Sequence, residues 1–293
     1  MLTPQIEAPE IAEELGIPKL YIKREDLHPY GSHKGRSIPM MIDLKAARGA
    51  KEFAISSSGN AAIAAARHIE KRNLAGDDLR LTIFVGERIG EAKRKALENV
   101  SIDERIKVVD SPRPLQALFN LLKSENGKPE SLRQSTDPEA LPGYKSLAFE
   151  IAGTPDLSAV FIGTSSGTSA QALAEYLIEH EKNAQIHVVQ TRGNSPIARA
   201  FDAEEYEGEP SLADAIVDKV AHRKDALEEA VRRTGGSGWV ASNADIEKAV
   251  RLLSEKANVR ATPNGALGLA GVIRAISKGW KPEGAVVAIV TGR

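Results

Sequence analysis

The 293 residues carry a formal net charge of −1 and an ordinary apolar fraction of 42%, so no global field draws the chain to nucleic acid or an anionic membrane surface. Cysteine is absent, which excludes disulfides, thiolate metal sites, iron–sulfur clusters and a thiol nucleophile and fits a reducing compartment. No apolar run approaches the roughly 20 residues of a bilayer span, and the opening MLTPQIEAPEIAEE lacks the basic and apolar regions of a signal peptide, so a cytoplasmic protein with no membrane or nucleic-acid partner is expected.

Along the chain, short β-branched runs alternate with longer amphipathic ones. Strands are predicted at 20–23, 52–56, 79–85, 106–109, 159–162, 185–190, 239–241 and 285–290. Helices are predicted at 60–71, 91–99, 114–124, 146–151, 169–181, 224–233, 245–256 and 265–277. This alternation is the pattern of a parallel α/β fold. In the helix at 245–256, Ile246, Val250 and Leu253 form one apolar stripe, with Asn243 or Asp245 as its expected N-cap. Segment 127–144, rich in proline, and the acidic segment 203–210 read as loops. The first is expected to mark the return from a smaller domain at 49–144 to a larger one formed by 1–48 and 145–293.

Four short segments carry chemistry. In KREDLHPYGSHKGR, at 23–36, Lys34 follows a Pro-Tyr-Gly turn, and Gly31 and Gly35 leave room for a planar ring beside its amine. Taken alone, such a lysine reads first as a solvated surface charge, since most lysines are exposed. In SSSGN, at 56–60, small hydroxyls stand at a strand-to-helix turn, where free N–H groups receive anions such as a carboxylate, unless a serine there merely caps the helix. In GTSSGT, at 163–168, backbone amides and hydroxyls form a nest for a phosphate, or an ordinary βα turn. It is neither a Walker loop nor a GxGxxG dinucleotide fingerprint, because the lysine and the glycine spacing are missing. The last strand, VVAIVTGR, delivers Thr291 and Gly292 to the edge where ligands of open α/β sheets collect.

None of these segments is specific alone, but their order is. A lysine after a strand, then SSGN, then a Gly/Ser/Thr loop, then a final strand ending in Thr-Gly resembles the fold type II pyridoxal 5'-phosphate (PLP) enzymes, the superfamily of tryptophan synthase β, from Thr3-Pro4 to Gly292. The resemblance implies two open, twisted, mostly parallel sheets flanked by helices, PLP as cofactor, a small amino-acid substrate and a homodimer. Carried over by position, it implies that Lys34 forms the Schiff base and moves the Cα proton. It further implies that Asn60 bonds the PLP 3'-oxygen and that Ser57 and Ser58 hold the substrate carboxylate. Gly163, Thr164, Ser165, Ser166, Gly167 and Thr168 would surround the cofactor phosphate, and Thr291 would face the pyridine nitrogen. No metal site is implied.

Within the superfamily, GYKSLAFEI at 143–151, SSSGNAA and QTRGNSPIARAF at 190–201 resemble threonine synthase. His33 departs from that pattern and resembles tryptophan synthase β, yet the glutamate of that family falls here on Ile55. The cysteine-synthase turn reads Pro263-Asn264-Gly265-Ala266, and the bulky N-terminal segment of threonine synthases is missing. The expected activity is elimination or replacement at the β or γ carbon of a small amino acid by a PLP-dependent lyase or synthase. The alternatives are a serine/threonine ammonia-lyase, a cysteine-synthase-like enzyme, or a PLP- or amino-acid-binding protein without turnover. Lys145, Arg36 and His33 are the candidate cations for a phosphate carried by the substrate, each of which is otherwise a surface or helix-end charge.

Overall fold

The computed structural model describes residues 2–124, 128–202, 204 and 210–292. Contacts divide the chain into a first unit, Met1–His28 with Tyr144–Arg293, and a second, Pro29–Gly143. The second unit thus opens at 29 and not at 49, because a helix that the sequence reading left out packs within it. Of the two loops expected, residue 127 and residues 203 and 205–209 lie outside the described residues.

The first unit opens with β1 (Gln5–Glu7), α1 (Pro9–Leu15) and β2 (Lys19–Arg24), and resumes with α6 (Lys145–Ala152), β7 (Leu157–Gly163), α7 (Thr168–Glu179) and β8 (Gln185–Thr191). It closes with α8 (Lys224–Arg233), β9 (Ser237–Ala241), α9 (Asn243–Ala257), α10 (Leu267–Ser277) and β10 (Ala285–Val290). Its six strands run β1-β2-β10-β7-β8-β9, all parallel except β1, which pairs antiparallel with β2. Side chains alternate across a strand, and Ile22, Phe161, Val189 and Ala288 point to one face, where α1, α9 and α10 close the core. The strand AVVAIV is buried on both faces, as a central parallel strand requires. On α10, an added Cβ at Gly268 would stand 2.7 Å from the Ile289 carbonyl oxygen, and one at Gly271 2.2 Å from Val189 Cγ2. The helix therefore lies directly on the sheet.

The second unit is built from α2 (Lys34–Ala47), β3 (Glu52–Ser56), α3 (Asn60–Leu74), β4 (Arg80–Gly86), α4 (Glu91–Glu98), β5 (Ile106–Ser111), α5 (Pro114–Lys123) and β6 (Glu130–Ser131). Its parallel sheet has the order β5-β4-β3-β6. Ile38, Met41 and Ile42 of α2 pack with Ala62, Ala65 and Ile69 of α3 over Phe53, Ile55, Leu81 and Ile83. On the other face Leu118 of α5 meets Ala54 and Phe84. Both units are mostly parallel sheets flanked by helices, the fold class expected.

Three local readings need correction. Helix α2 was not foreseen because it contains Pro39, which lacks the N–H that would bond to the Gly35 carbonyl; a helix with proline in its second turn survives only through its packing. The stretch at 127–144 is not simply loop, since β6 pairs with β3 at Phe53↔Glu130 and Ala54↔Ser131. Helix α9 is capped by Ser242, whose hydroxyl accepts from Asp245 N–H while the Asp245 carboxylate accepts from Ser242 N–H. Asn243 instead accepts from Leu212 N–H and donates to Pro210 O. Its buried stripe is Ile246, Ala249, Leu252 and Leu253, with Val250 half-buried beside it.

One polar network crosses the core of the first unit. The His187 ring stacks on Phe161 at 4.3 Å and meets Trp280 edge-on at 5.0 Å. Trp239 Nε1 donates to His187 Nδ1 at 3.1 Å, and an indole N–H can only donate, so the ring proton sits on Nε2 and bonds Gln185 Oε1 at 2.9 Å. Burial pushes this imidazole down to about 3. Between pH 6.5 and about 3 the unfolded chain binds a proton that the folded chain refuses. The contribution is complete above pH 6.5 and is lost as pH falls toward 3, by on the order of a few kcal/mol at about 1.4 kcal/mol per unit. Urea unfolding of the wild type and His187→Gln between pH 7 and pH 4 should show a shallower loss of stability in the variant; equal slopes would remove His187 from the account.

Candidate active site

In the second unit, Lys34 is the first residue of α2. Gly31 turns the chain ahead of it with a φ of +81°, a conformation open to glycine, and packs on Arg67, whose Nη1 donates to Pro29 O at 3.4 Å. Lys34 N–H donates to Ser32 Oγ at 3.3 Å. The Lys34 side chain is shielded enough that burial lowers its amine to about 8. The other lysine of the same motif, Lys23, is also buried but lies 2.5 Å from Glu150 and donates to Thr3 O at 2.8 Å. Lys23 is thus an ion-pair member, and desolvation shifts the Lys34 amine.

The SSSGN turn joins β3 to α3 and places Asn60 at the first helical position. No serine caps this helix: the N-cap is Gly59, without a side-chain bond, and Ser57 Oγ accepts from Gly59 N–H at 3.3 Å. The first-turn N–H groups of α3 and their positive dipole end are therefore left for another acceptor. Helices α2 and α3 both run antiparallel to β3 and pack side by side, so Lys34 and Asn60 head neighbouring helices at the same edge of the second unit. Ile55 is buried in the core, so no base stands five residues before Asn60.

In the first unit, the 163–168 turn links β7 to α7. A Cβ on Gly163 would come within 2.5 Å of Leu267 Cβ, and Gly167, the N-cap of α7, has a φ of +86° with Leu227 Cδ2 2.7 Å from any added Cβ. Both positions require glycine. Thr164 Oγ1 accepts from Gly167 N–H at 3.0 Å, and the Ser166 and Thr168 hydroxyls lie 3.0 Å apart. Ser165 Oγ accepts from the N–H groups of Val217 and Asp218, both at 3.0 Å. With its lone pairs so used, the Ser165 hydroxyl is left as a donor.

Gln190, to which the sequence reading gave no role, is fully buried and fixes the back of this turn. Its amide donates to Ser165 O at 3.2 Å, and its carbonyl accepts from Ile197 and Ala198 N–H at 2.8 and 2.9 Å. The available signal was a polar side chain near the end of an apolar strand. Thr291 follows β10, which pairs with β7 at Ala288↔Phe161; continuing that register puts Thr291 beside Thr164. It is buried, its Oγ1 lies 3.5 Å from Asn264 O, and a Cβ on Gly265 would stand 2.4 Å from Gly292 O. The side chain of Asn264 is engaged elsewhere, with Ala215 N–H and Asp214. Lys145 is ion-paired with Glu179 at 2.8 Å on an exposed stretch, while His33 and Arg36 are buried next to Lys34 in sequence. Among the described residues no cluster suits a metal ion, and no helix is long and apolar enough to cross a membrane.

The profile of the family described as Pyridoxal-phosphate dependent enzyme matches residues 2–292. The threonine synthase of Bacillus sp. (strain ULM1) is 29% identical over 305 aligned positions, covering 99% of this chain and 82% of the relative. That of Synechocystis sp. (strain ATCC 27184 / PCC 6803 / Kazusa) is 27% identical, covering 99% and 75%. Among solved structures, serine racemase from Dictyostelium discoideum superposes with a TM-score of 0.83 at 20% identity, covering 99% of this chain and 92% of that one. Threonine deaminase isoform 2 from Solanum lycopersicum gives 0.81 at 20%, covering 99% and 78%. At these identities the structures speak for the fold. With the profile matched from residue 2 to residue 292, the chain belongs to the family of pyridoxal-phosphate dependent enzymes, and PLP is its cofactor.

Proposed function

We propose that this enzyme eliminates or replaces a group at the β or γ carbon of a small amino acid, in the manner of the threonine synthases it is similar to. The observation that carries the reading is Lys34: an amine at the head of α2, lowered to about 8 by burial alone, beside the uncapped N-terminus of α3. Near neutral pH, that shift from 10.5 raises the neutral, nucleophilic fraction by roughly two orders of magnitude.

The residues fit the cofactor. The 163–168 turn, with two obligatory glycines, the first-turn N–H groups of α7 and the Ser165 hydroxyl left as a donor, suits a phosphate. Lys34 is the residue for the carbonyl carbon, Asn60 for the ring 3'-oxygen and Thr291 for the ring nitrogen. When bound, PLP supplies the electron sink for the pair released at the substrate Cα. Ser57 and Ser58, at the open N-terminus of α3, hold the substrate carboxylate and so fix which bond at Cα faces Lys34. The Lys34 amine takes up the Cα proton and holds it. Thr291 offers a hydroxyl and no negative charge, so it does not stabilise a cationic ring nitrogen as a carboxylate would.

One observation favours a second reading, a serine/threonine ammonia-lyase. A threonine synthase must also hold a phosphate on its substrate, and Lys145, one of the three cations considered for that, is paired with Glu179. Titrating the purified enzyme with serine, threonine, O-phosphohomoserine and O-acetylserine decides between them. Release of phosphate and threonine from O-phosphohomoserine is expected; ammonia and a 2-oxo acid from serine or threonine alone would select the lyase, and no product from any of them would leave a binding protein.

Borohydride reduction of the PLP-loaded enzyme is expected to tether the cofactor to the peptide containing Lys34, and mapping it to Lys23 or Lys145 would reject the assignment. The Ser165→Ala/Ser166→Ala double variant should bind PLP at least tenfold more weakly, since a hydrogen bond to a charged group is worth about 1.5–3 kcal/mol and about 1.4 kcal/mol is a factor of ten. An unchanged dissociation constant for PLP, with a raised KM for substrate, would move these hydroxyls from cofactor to substrate.

A further inference from the structure

A second polar construction lies within the second unit. Tyr30 Oη is 2.9 Å from His68 Nδ1, and His68 Nε2 is 2.8 Å from Asp43 Oδ1. Asp43 in turn receives the Arg72 guanidinium, which also bonds Asp77 at 2.5 Å. The rings of Tyr30 and His68 meet edge to face at 5.9 Å, and His68 is buried.

The proton positions along this chain follow from chemistry. The Asp43 Oδ1 that receives the Arg72 guanidinium also faces His68 Nε2, and a carboxylate oxygen accepts from both, so Nε2 of His68 carries the hydrogen. In a neutral imidazole Nδ1 is then the acceptor, and the Tyr30 hydroxyl must donate to it. Burial, with Asp43 adding to it, raises the Tyr30 phenol above its ordinary value, so it keeps its proton and serves as a fixed donor.

The three residues sit on three pieces of chain that Lys34 and Asn60 depend on. Tyr30 lies in the turn four residues before Lys34, Asp43 is nine residues into the helix that Lys34 begins, and His68 is eight residues into the helix that Asn60 begins. Because both helices start at one edge, the bond between Asp43 and His68 ties them at equal depth, about 12–14 Å along their axes. Tyr30 reaches from the turn to that tie, and the Arg67 bond to Pro29 holds the same turn on α3.

We infer that Tyr30, His68 and Asp43 form a hydrogen-bonded strut that positions the Lys34 turn against α3. These are positioning residues: they act on Lys34 through the backbone. The inference rests on Lys34 being the lysine that the enzyme uses. Without the strut the 29–33 turn loosens, water reaches the amine, and its value returns toward 10.5.

The test reads Lys34 itself in the full chain, freed of PLP with hydroxylamine, so it does not depend on which reaction is catalysed. Labelling of Lys34 by trinitrobenzenesulfonate, quantified by peptide mapping from pH 6 to pH 11, gives its midpoint. The wild type should titrate near 8. Tyr30→Phe, which keeps the ring and removes only the donor, should raise the midpoint by about one unit while the circular dichroism stays native. His68→Ala should do the same, and His68→Asn, which restores an acceptor near the Nδ1 position, should recover part of the shift. If Tyr30→Phe does not fold, Asp43→Ala at the exposed end of the strut is expected to give a smaller rise. An unchanged midpoint in the folded Tyr30→Phe, or in Asp43→Ala where that stands in, overturns the strut. Failure to find PLP on Lys34 in the borohydride experiment would instead strike at the functional reading, leaving this result standing.

Discussion

When strands pair in parallel, the chain must cross a face of the sheet to begin the next strand, so every strand-to-helix turn of a sheet falls at the same edge. Each such turn opens a helix whose first N–H groups lack an intrahelical partner. Both units of this chain use that geometry. In the first, the 163–168 turn and Thr291 emerge from adjacent strands; in the second, the turn before Asn60 emerges beside the head of α2. The chemistry then depends on what covers those N–H groups. At α9, which carries no assigned role, Ser242 and Asp245 close the helix end with a reciprocal capping box. At α3 no side chain does so. One chain thus caps one such helix with side chains and leaves another open.

Lys34 gains its character from the exclusion of water around its amine. Lys23 and Lys34 lie in one motif and are both shielded from water, but Lys23 has Glu150 within 2.5 Å and Lys34 is shifted by desolvation alone. Desolvation disfavours the charged form of an amine and so pushes Lys34 toward the neutral amine. Sequence spacing cannot separate these fates, because Glu150 is 127 residues from Lys23 and reaches it only through the fold.

That distinction marks what was legible in the sequence. Strands such as AVVAIV and the stripe of α9 declare themselves, since burial writes itself directly into local composition. The four motifs could be read as a candidate site, and Gly163 and Gly167 stand at the turn that needs them. Illegible were features set by partners distant in sequence. Helix α2 reads as a break because Pro39 interrupts it, yet packing on α3 holds it. Ser165 takes its two N–H donors from residues 52 and 53 positions away, and Gln190 clamps two turns at once. Ser242 was passed over for its neighbours because a cap is assigned by one residue of backbone geometry, finer than periodicity resolves.

The glycines of α10 carry a consequence for how this protein can change over generations. With Gly268 and Gly271 seated flush on the strands that lead to Thr291 and Gln190, no gap remains behind them for a larger side chain to occupy. A helix in contact with strand backbone cannot roll or slide unless the strands move too. Substitution is accommodated instead where side chains meet solvent, as at Leu212, Val217 and Val220 in the 210–221 stretch, which can be exchanged without disturbing the sheet.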